Sequence, residues 1–353
     1  MCRSACDMPL VGVTAIIMSL CGCGHDPAKY VFRIEVNNRF GAINEYGEFV
    51  VDPVFSIASR NSAEEMLLGR DGIWVYCSPI GVRDIAVPEG SYDLAVSLRD
   101  GLFWLGRAGE QGVVVDTKNR LKPTTDYTYS MYSYSEGMVV VRTGDLEGFA
   151  DRDGALVIAP RFLSVRPFSE GLAAVEMSTG FGYIDKRGEF VIPPFFAYAL
   201  DFHEELALVF AKSNKSLFIN KSGTEAIHLE SVEPSGSFSL GRAKVRDVRT
   251  GKSGYVDRSG RVVIPPSFDI AGDFTEGLAW TLCSDGNGKY IDEHGRSVLS
   301  FENVKKMQPF ACGIAFVETR ARCGYVDRRG KWVWSQPGSS RSQKNHVRER
   351  GVK

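Results

Sequence analysis

Arg39 to Phe55 reads RFGAINEYGEFVVDPVF and Gly180 to Phe196 reads GFGYIDKRGEFVIPPFF, nearly the same phrase 141 residues apart. Further copies are EGFADRDGALVIAPRF (Glu147 to Phe162), SGYVDRSGRVVIPPSF (Ser253 to Phe268), KYIDEHGRSVLSF (Lys289 to Phe301) and CGYVDRRGKWVW (Cys323 to Trp334). Weaker ones begin at Tyr76, Val113 and Leu217. Aligning one turn residue gives Asn44, Ser78, Asp116, Asp151, Asp185, Asn220, Asp257, Asp292 and Asp327, at successive spacings of 34, 38, 35, 34, 35, 37, 35 and 35. Self-similarity at a fixed period of this size is the signature of a repeat architecture, so a length of 353 residues reads as about nine small units.

A second motif runs in phase with the first: YSEGMVVV (Tyr134 to Val141), FSEGLAAV (Phe168 to Val175), FHEELALV (Phe202 to Val209), FSLGRAKV (Phe238 to Val245), FTEGLAW (Phe274 to Trp280) and FACGIAFV (Phe310 to Val317). Each unit therefore holds three short strands: a (LAAVEM type), b (GYID type) and c (EFVIPP type), whose Val, Ile, Phe and Tyr suit a half-buried pleated surface. Between b and c, Asp-x-x-Gly predicts a tight turn in which the acid or amide side chain accepts backbone N–H bonds and the glycine takes positive φ. These turn residues are Asn44, Asp151 with Gly154, Asp185 with Gly188, Asp257 with Gly260, Asp292 with Gly295, and Asp327 with Gly330. Proline at 53, 160, 193–194 and 265–266 is expected to end strand c, where no ladder donor is wanted.

These residues resemble the WG repeat, a bacterial tandem β-repeat that runs roughly Trp-Gly-Tyr-Ile-Asp-x-x-Gly-x-x-Val-Ile-Pro-Pro and then Phe-Ser-Glu-Gly-Leu-Ala. The place of the naming Trp holds Phe40, Glu147, Phe181, Ser253, Gly288 or Cys323, whereas Gly41, Gly148, Gly182, Gly254 and Gly324 keep the second letter. The resemblance implies a cell-envelope protein with a binding role rather than a defined chemistry.

The expected fold is all-β: a tandem array of about nine three- to four-stranded β-meander repeats, either propeller-like or an open curved β-solenoid. One meander cannot bury a core alone, so units stack on their neighbours. A segment such as ALDF (Ala199 to Phe202) offers a fourth strand. The first unit begins with its own strand a (Tyr30 to Val36) and the ninth finishes with strand c (Lys331 to Trp334). No strand-swapped closing unit is visible, which favours an open or nearly closed array.

Pro9 to Cys23 is an uncharged apolar run too short to span a bilayer, and it fits a signal-peptide core. Leu20-Cys21-Gly22-Cys23 resembles the lipobox of bacterial lipoproteins, with Cys23 as the acylated residue. The departures are a single basic side chain, Arg3, offset by Asp7, and a second possible start at Met8. Residues 1–22 are then a lipoprotein-type signal peptide, 23–29 a linker, 30–336 the repeat array and 337–353 a disordered basic tail. That organisation predicts a lipid-anchored protein of the bacterial envelope, with a secreted protein as the alternative. Cys77, Cys283, Cys312 and Cys323 would remain in the mature chain, and their spacing does not choose a pairing.

Formal net charge is −1, from 42 Lys and Arg against 43 Asp and Glu, which gives no reason to expect nucleic acid. The recurring aspartates exchange with Asn and Ser at the same address, as a turn cap can and a general base cannot. The five histidines share no repeat position and have no metal-ligand spacing. No catalytic residue, metal site or cofactor is expected, and the chain reads as a non-enzymatic scaffold for another protein or an envelope polysaccharide. A glycan-active hydrolase and a purely structural spacer are the alternatives. Tyr127 and Tyr132, in DYTYSMYSYS, align with Arg161 and Arg166 and so read as exposed aromatic contacts for a ligand. Trp74 and Trp104 are weaker candidates of the same kind.

Overall fold

The computed structural model describes residues 30–59, 65–78, 81–87, 92, 94–99, 101–106, 113–117, 128–129, 134–151 and 153–338. Its regular structure is strand alone, in nine antiparallel sheets covering 31–55, 57–84, 94–116, 128–162, 164–196, 198–227, 232–268, 270–301 and 304–337. These are blades 1 to 9. Seven are four-stranded meanders paired in chain order; among the described residues, blade 1 shows strands a, b and c, and blade 3 shows the first three strands.

Blade 5 sets the pattern with Ser164–Val165, then a (Ala173–Met177), b (Gly180–Ile184) and c (Phe190–Phe196). Strand a buries Ala173, Ala174 and Val175 in succession, because a blade flanked by two others has no solvent face. The fourth strand anticipated at ALDF is Tyr198–His203, the first strand of blade 6. First strands of adjacent blades lie against each other in the pairs Ile57–Ala58 with Leu94–Arg99 and Tyr198–His203 with Val232–Ser239. Strand c instead turns Phe190, Val191 and Phe195 to solvent. The first strand is therefore the inner one and strand c forms the rim, since blades converge toward the axis and splay away from it.

The array closes into a ring. Phe32, Ile34 and Ile43 of blade 1 pack with Ile314, Tyr325, Val333 and Trp334 of blade 9. The Tyr325 hydroxyl donates to Arg33 O at 2.8 Å and Gln336 Nε2 donates to Glu35 O at 2.8 Å. Of the two arrangements expected, propeller-like or open solenoid, the chain takes the first: an apolar seam and two side-chain donors close the ring without strand exchange, giving a nine-bladed β-propeller.

The prolines also need correction. Strand c runs through them, as in Phe190–Phe196, Leu156–Phe162, Val262–Phe268 and Phe49–Phe55. Tyr183 pairs with Ile192 and Phe181 with Phe196, so Gly182 alone faces Pro193, Pro194 and Phe195 across a bulge. A bulge on an edge strand leaves those positions off the ladder, where the missing proline N–H has no consequence. The same bulge explains the glycine of strand b: a Cβ on Gly182 would sit 2.5 Å from Ile192 O, and one on Gly254 2.6 Å from Ile264 O. The last strand c, Trp332–Pro337, extends one residue into the segment read as tail, and the first strand a begins at Val31.

Candidate functional site

In a four-stranded meander, the turn from the inner strand to a and the turn from b to c emerge at the same end of the blade. Both recurrent motifs therefore lie on one face of the ring. Asp185 Oδ1 accepts the backbone N–H groups of Arg187 at 2.9 Å and Glu189 at 3.0 Å, while Gly188 has φ +86°. Asn44 Oδ1 does the same for Tyr46 and Glu48, and Asn220 Oδ1 for Ser222 and Thr224. One oxygen does the work, which is why Asn replaces Asp freely. Asp151, Asp257, Asp292 and Asp327 repeat the geometry, and Gly154, Gly260, Gly295 and Gly330 all have positive φ. The N–H of Glu189 holds the Asp185 carboxyl below its ordinary value, as the Ser259 hydroxyl does for Asp257.

The Ser-Glu-Gly turns are two-residue connections with positive φ at both central positions, as a type I′ turn requires: Glu136 50° with Gly137 88°, Glu170 53° with Gly171 85°. A glutamate in this region is strained, and its side chain shows what holds it there. Glu136 accepts Gly171 N–H of the next blade at 3.1 Å, Glu170 accepts Glu205 N–H at 2.9 Å, Glu204 accepts Gly241 N–H at 3.1 Å and Glu276 accepts Gly313 N–H at 3.1 Å. The preceding hydroxyls of Ser135, Ser169 and Ser239 donate to the carbonyls of Phe168, Phe202 and Phe274 in the next blade. Lys186, Lys221 and Arg258, each following the turn Asp or Asn of the next blade, pair with Glu136, Glu170 and Glu204. These recurring carboxylates are consumed in tying blade to blade. Where the acid is replaced, by Leu240 or Cys312, the following blade carries Glu293 or Glu45 at the cation's address.

Strand b supplies the other tie. Tyr183, Tyr255 and Tyr290 meet Phe202, Phe274 and Phe310 edge-to-face at centroid distances of 4.8, 4.9 and 4.7 Å, and their hydroxyls donate to Leu200 O, Gly272 O and Gln308 O. Burial pushes all three phenols well above the ordinary tyrosine value. At the address of the naming Trp, Phe181 packs on Tyr198 of the next blade at 5.0 Å, and Glu147, 2% exposed, accepts Val165 N–H from the next blade while pairing with Arg142.

Glu65 is a buried carboxylate that no sequence pattern marked. It accepts Gly101 N–H at 2.8 Å and the hydroxyls of Tyr76 and Ser97, joining blades 2 and 3; burial and its charge push the Tyr76 phenol up to about 12. Its repeat address is blurred by the degenerate sequence of unit two, so the alignment had nothing to show.

Cys23, Tyr127 and Tyr132 lie outside the described residues. Trp74 and Trp104, read as weaker binding candidates, are corrected to core: they are 6% and 4% exposed, with their rings over Gly69 and Gly106, where a Cβ would collide. Cys77, Cys283, Cys312 and Cys323 are all free thiols, and burial pushes Cys77 up to about 12. Among the described residues no three His, Cys, Asp or Glu side chains converge as metal ligands. Strand c leaves apolar side chains half exposed: Leu156 and Val157 in blade 4 and Phe190, Val191 and Phe195 in blade 5, with Leu163 and Tyr198 where the chain passes to the inner strand of the next blade, are each 40–49% exposed, and Phe49, Val54, Val262 and Val298 are exposed on strand c of blades 1, 7 and 8. Phe190 of blade 5 lies edge-on to the buried Phe162 of blade 4 at 6.3 Å.

The model of the WG containing repeat matches residues 148–178, 181–215 and 254–284. No curated protein matches the chain in sequence. Among solved structures, the chain is similar to BamB from Moraxella catarrhalis (11% identity, TM-score 0.48, covering 86% of this chain and 98% of that one). It is similar also to AztD from Citrobacter koseri (11%, 0.39, 88% and 94%) and to Hsv2p from Kluyveromyces lactis (9%, 0.31, 77% and 73%).

Proposed function

We propose that the chain is a non-enzymatic binding scaffold of the bacterial cell envelope, held to the membrane by a lipid on Cys23, and that its ligand is a protein docking on the rim of blades 4 and 5. The observation that carries this reading is the division of labour among side chains. The recurring carboxylates, hydroxyls and phenols are taken up by turns and seams, whereas strand c of the adjacent blades 4 and 5 leaves Leu156, Val157, Phe190, Val191 and Phe195 half exposed. Contiguous exposed apolar surface of this kind marks interaction sites, and aromatic side chains make good anchors.

The test is affinity capture of the full chain from its native membrane beside the variant Phe190→Ser/Phe195→Ser. Both positions are about half exposed, so the ring should persist. A partner retained by the parent chain and lost from the variant supports the reading; equal retention by both sinks it. Fractionation of Cys23→Ala addresses the anchor separately, since the protein should leave the membrane fraction, and a parent chain that is already soluble refutes the anchor.

A further inference from the structure

Blades 2 to 9 each open with an inner strand paired to strand a, whereas among the described residues strand a of blade 1, Val31–Val36, pairs only with strand b. The two-residue turn at Asn37 and Asn38 (φ 51° and 61°) makes Val36 and Arg39 a hydrogen-bonded pair. Ile34 and Phe32 then bond strand b as well, and Arg33 and Glu35 turn their N–H and C=O groups toward the axis. In other blades this edge is taken. In blade 5, Arg166 N–H donates to Ala174 O at 2.9 Å and Leu163 N–H to Glu176 O at 3.0 Å; Gly272 and Gln308 do the same for Trp280 O in blade 8 and Phe316 O in blade 9. Arg33 and Glu35 stand at the addresses of Ala174 and Glu176, 141 residues earlier.

Blade 9 fills half of the missing strand's role. Its Tyr325 hydroxyl and Gln336 amide, the donors that close the ring, stand in for the absent N–H groups at Arg33 O and Glu35 O. Among the described residues nothing accepts from the N–H of Arg33 or Glu35. Arg33 is half-buried and Glu35 exposed, so this edge is within reach of a ligand. An aromatic slot is open beside it. Tyr183, Tyr255 and Tyr290 are fully buried, each against a phenylalanine of the next blade's inner strand. Tyr325, at the same address, is only half-buried and meets Phe32 of strand a and Phe316 of its own blade, both at 5.5 Å.

We propose that strand a of blade 1 is a docking site for an extended segment of a partner protein, which adds along Val31–Val36 as the inner strand of that blade. An open strand edge is a template for such pairing, and the inner strands of the other eight blades define the shape of the occupant. Its backbone N–H groups replace Tyr325 and Gln336 at the carbonyls of Arg33 and Glu35, and its carbonyls accept from the two unused N–H groups. A phenylalanine on the segment covers Tyr325, whose hydroxyl passes to a carbonyl of the incoming strand as Tyr183 bonds Leu200 O. The proposal goes beyond the rim-docking reading and stands or falls without it.

The probe is the end-blocked hexapeptide of Tyr198–His203, an inner strand of this chain with Phe202 at the covering position. It is titrated into the full chain and followed through the backbone amide signals of Arg33 and Glu35 by NMR. Both should shift saturably, and Phe202→Ser in the peptide should weaken binding about tenfold or more. In the protein, Glu35→Pro removes an N–H that strand b does not use, so the ring should persist while binding is lost. Gln336→Ala removes a competing donor and should tighten binding about fivefold. Shifts that never saturate, equal affinity in Glu35→Pro, or equal binding of the altered peptide overturn the proposal. If Glu35→Pro does not fold, Gln336→Ala decides: unchanged or weaker binding refutes the site. Slow hydrogen exchange at Arg33 and Glu35 before peptide is added would assign the edge to the chain's own residues 23–29, and that outcome also overturns the proposal.

Discussion

Two glycines of blade 5 are required for different physical reasons. Gly182 has no unusual φ, but its missing Cβ makes room for the Ile192 carbonyl and the two prolines of the bulge; Gly171 has φ +85° and open space around it. Gly182→Ala must displace backbone and should destabilise by about 2–3 kcal/mol. Gly171→Ala meets only conformational strain, about 1 kcal/mol. Thermal unfolding of the two variants should rank them in that order, and a reversed order would refute the close-approach explanation. The turn acids behave as oxygens rather than as acids: Asp185→Asn should leave the midpoint within about 0.5 kcal/mol of the parent, whereas Asp185→Ala, which removes two accepted N–H bonds, should cost about 1 kcal/mol or more.

At the scale of the blade, the same carboxylates give a signed pH dependence. Asp185 and Asp257 lie below their ordinary value when folded. Their contribution is therefore complete above the unfolded value of about 3.9 and is lost as pH falls through the lower folded value. Melting temperature should begin to drop below about pH 4, and Asp185→Asn/Asp257→Asn should flatten that part of the curve. An unchanged curve would show that other groups control acid unfolding. The blade itself was largely legible in the sequence: strands a, b and c, their turns and the period follow from recurring residues, because each address solves the same local problem in most of the blades. Two things were not legible. The prolines inside strand c depend on a bulge, which is a property of pairing and not of either strand alone. The glutamate of Ser-Glu-Gly acts on the following blade, so its purpose, a carboxylate reaching the Gly171 N–H from Glu136, exists only once blades are stacked. The seam role of Glu65, in the degenerate second unit, likewise appears only in the folded ring, whereas the replacement of the recurring glutamate by Leu240 is plain in FSLGRAKV.

At the scale of the ring, closure rests on one seam unlike the others. Tyr183 reaches an inner strand of the next blade, whereas Tyr325 reaches Arg33 in strand a of blade 1. Tyr325→Phe combined with Gln336→Ala removes both hydrogen bonds while leaving the apolar contacts of Phe32, Ile34 and Trp334 in place. Hydrogen exchange should then speed up in Val31–Val36 and Trp332–Pro337 while blades 5 to 7 keep their protection. Uniform acceleration in all blades would mean that the ring opens only by global unfolding. The seam bond from Ser169 to Phe202 joins residues 33 apart, but the one from Tyr325 to Arg33 joins residues 292 apart. By chain-closure entropy the difference adds only about 2 kcal/mol, so an unclosed arc of stacked blades is a reachable way-station for the chain. Each blade can dock on its predecessor as soon as it emerges from the ribosome, without waiting for the far end. In such an arc the closing step brings the Tyr325 hydroxyl and the Gln336 amide to the carbonyls of Arg33 and Glu35.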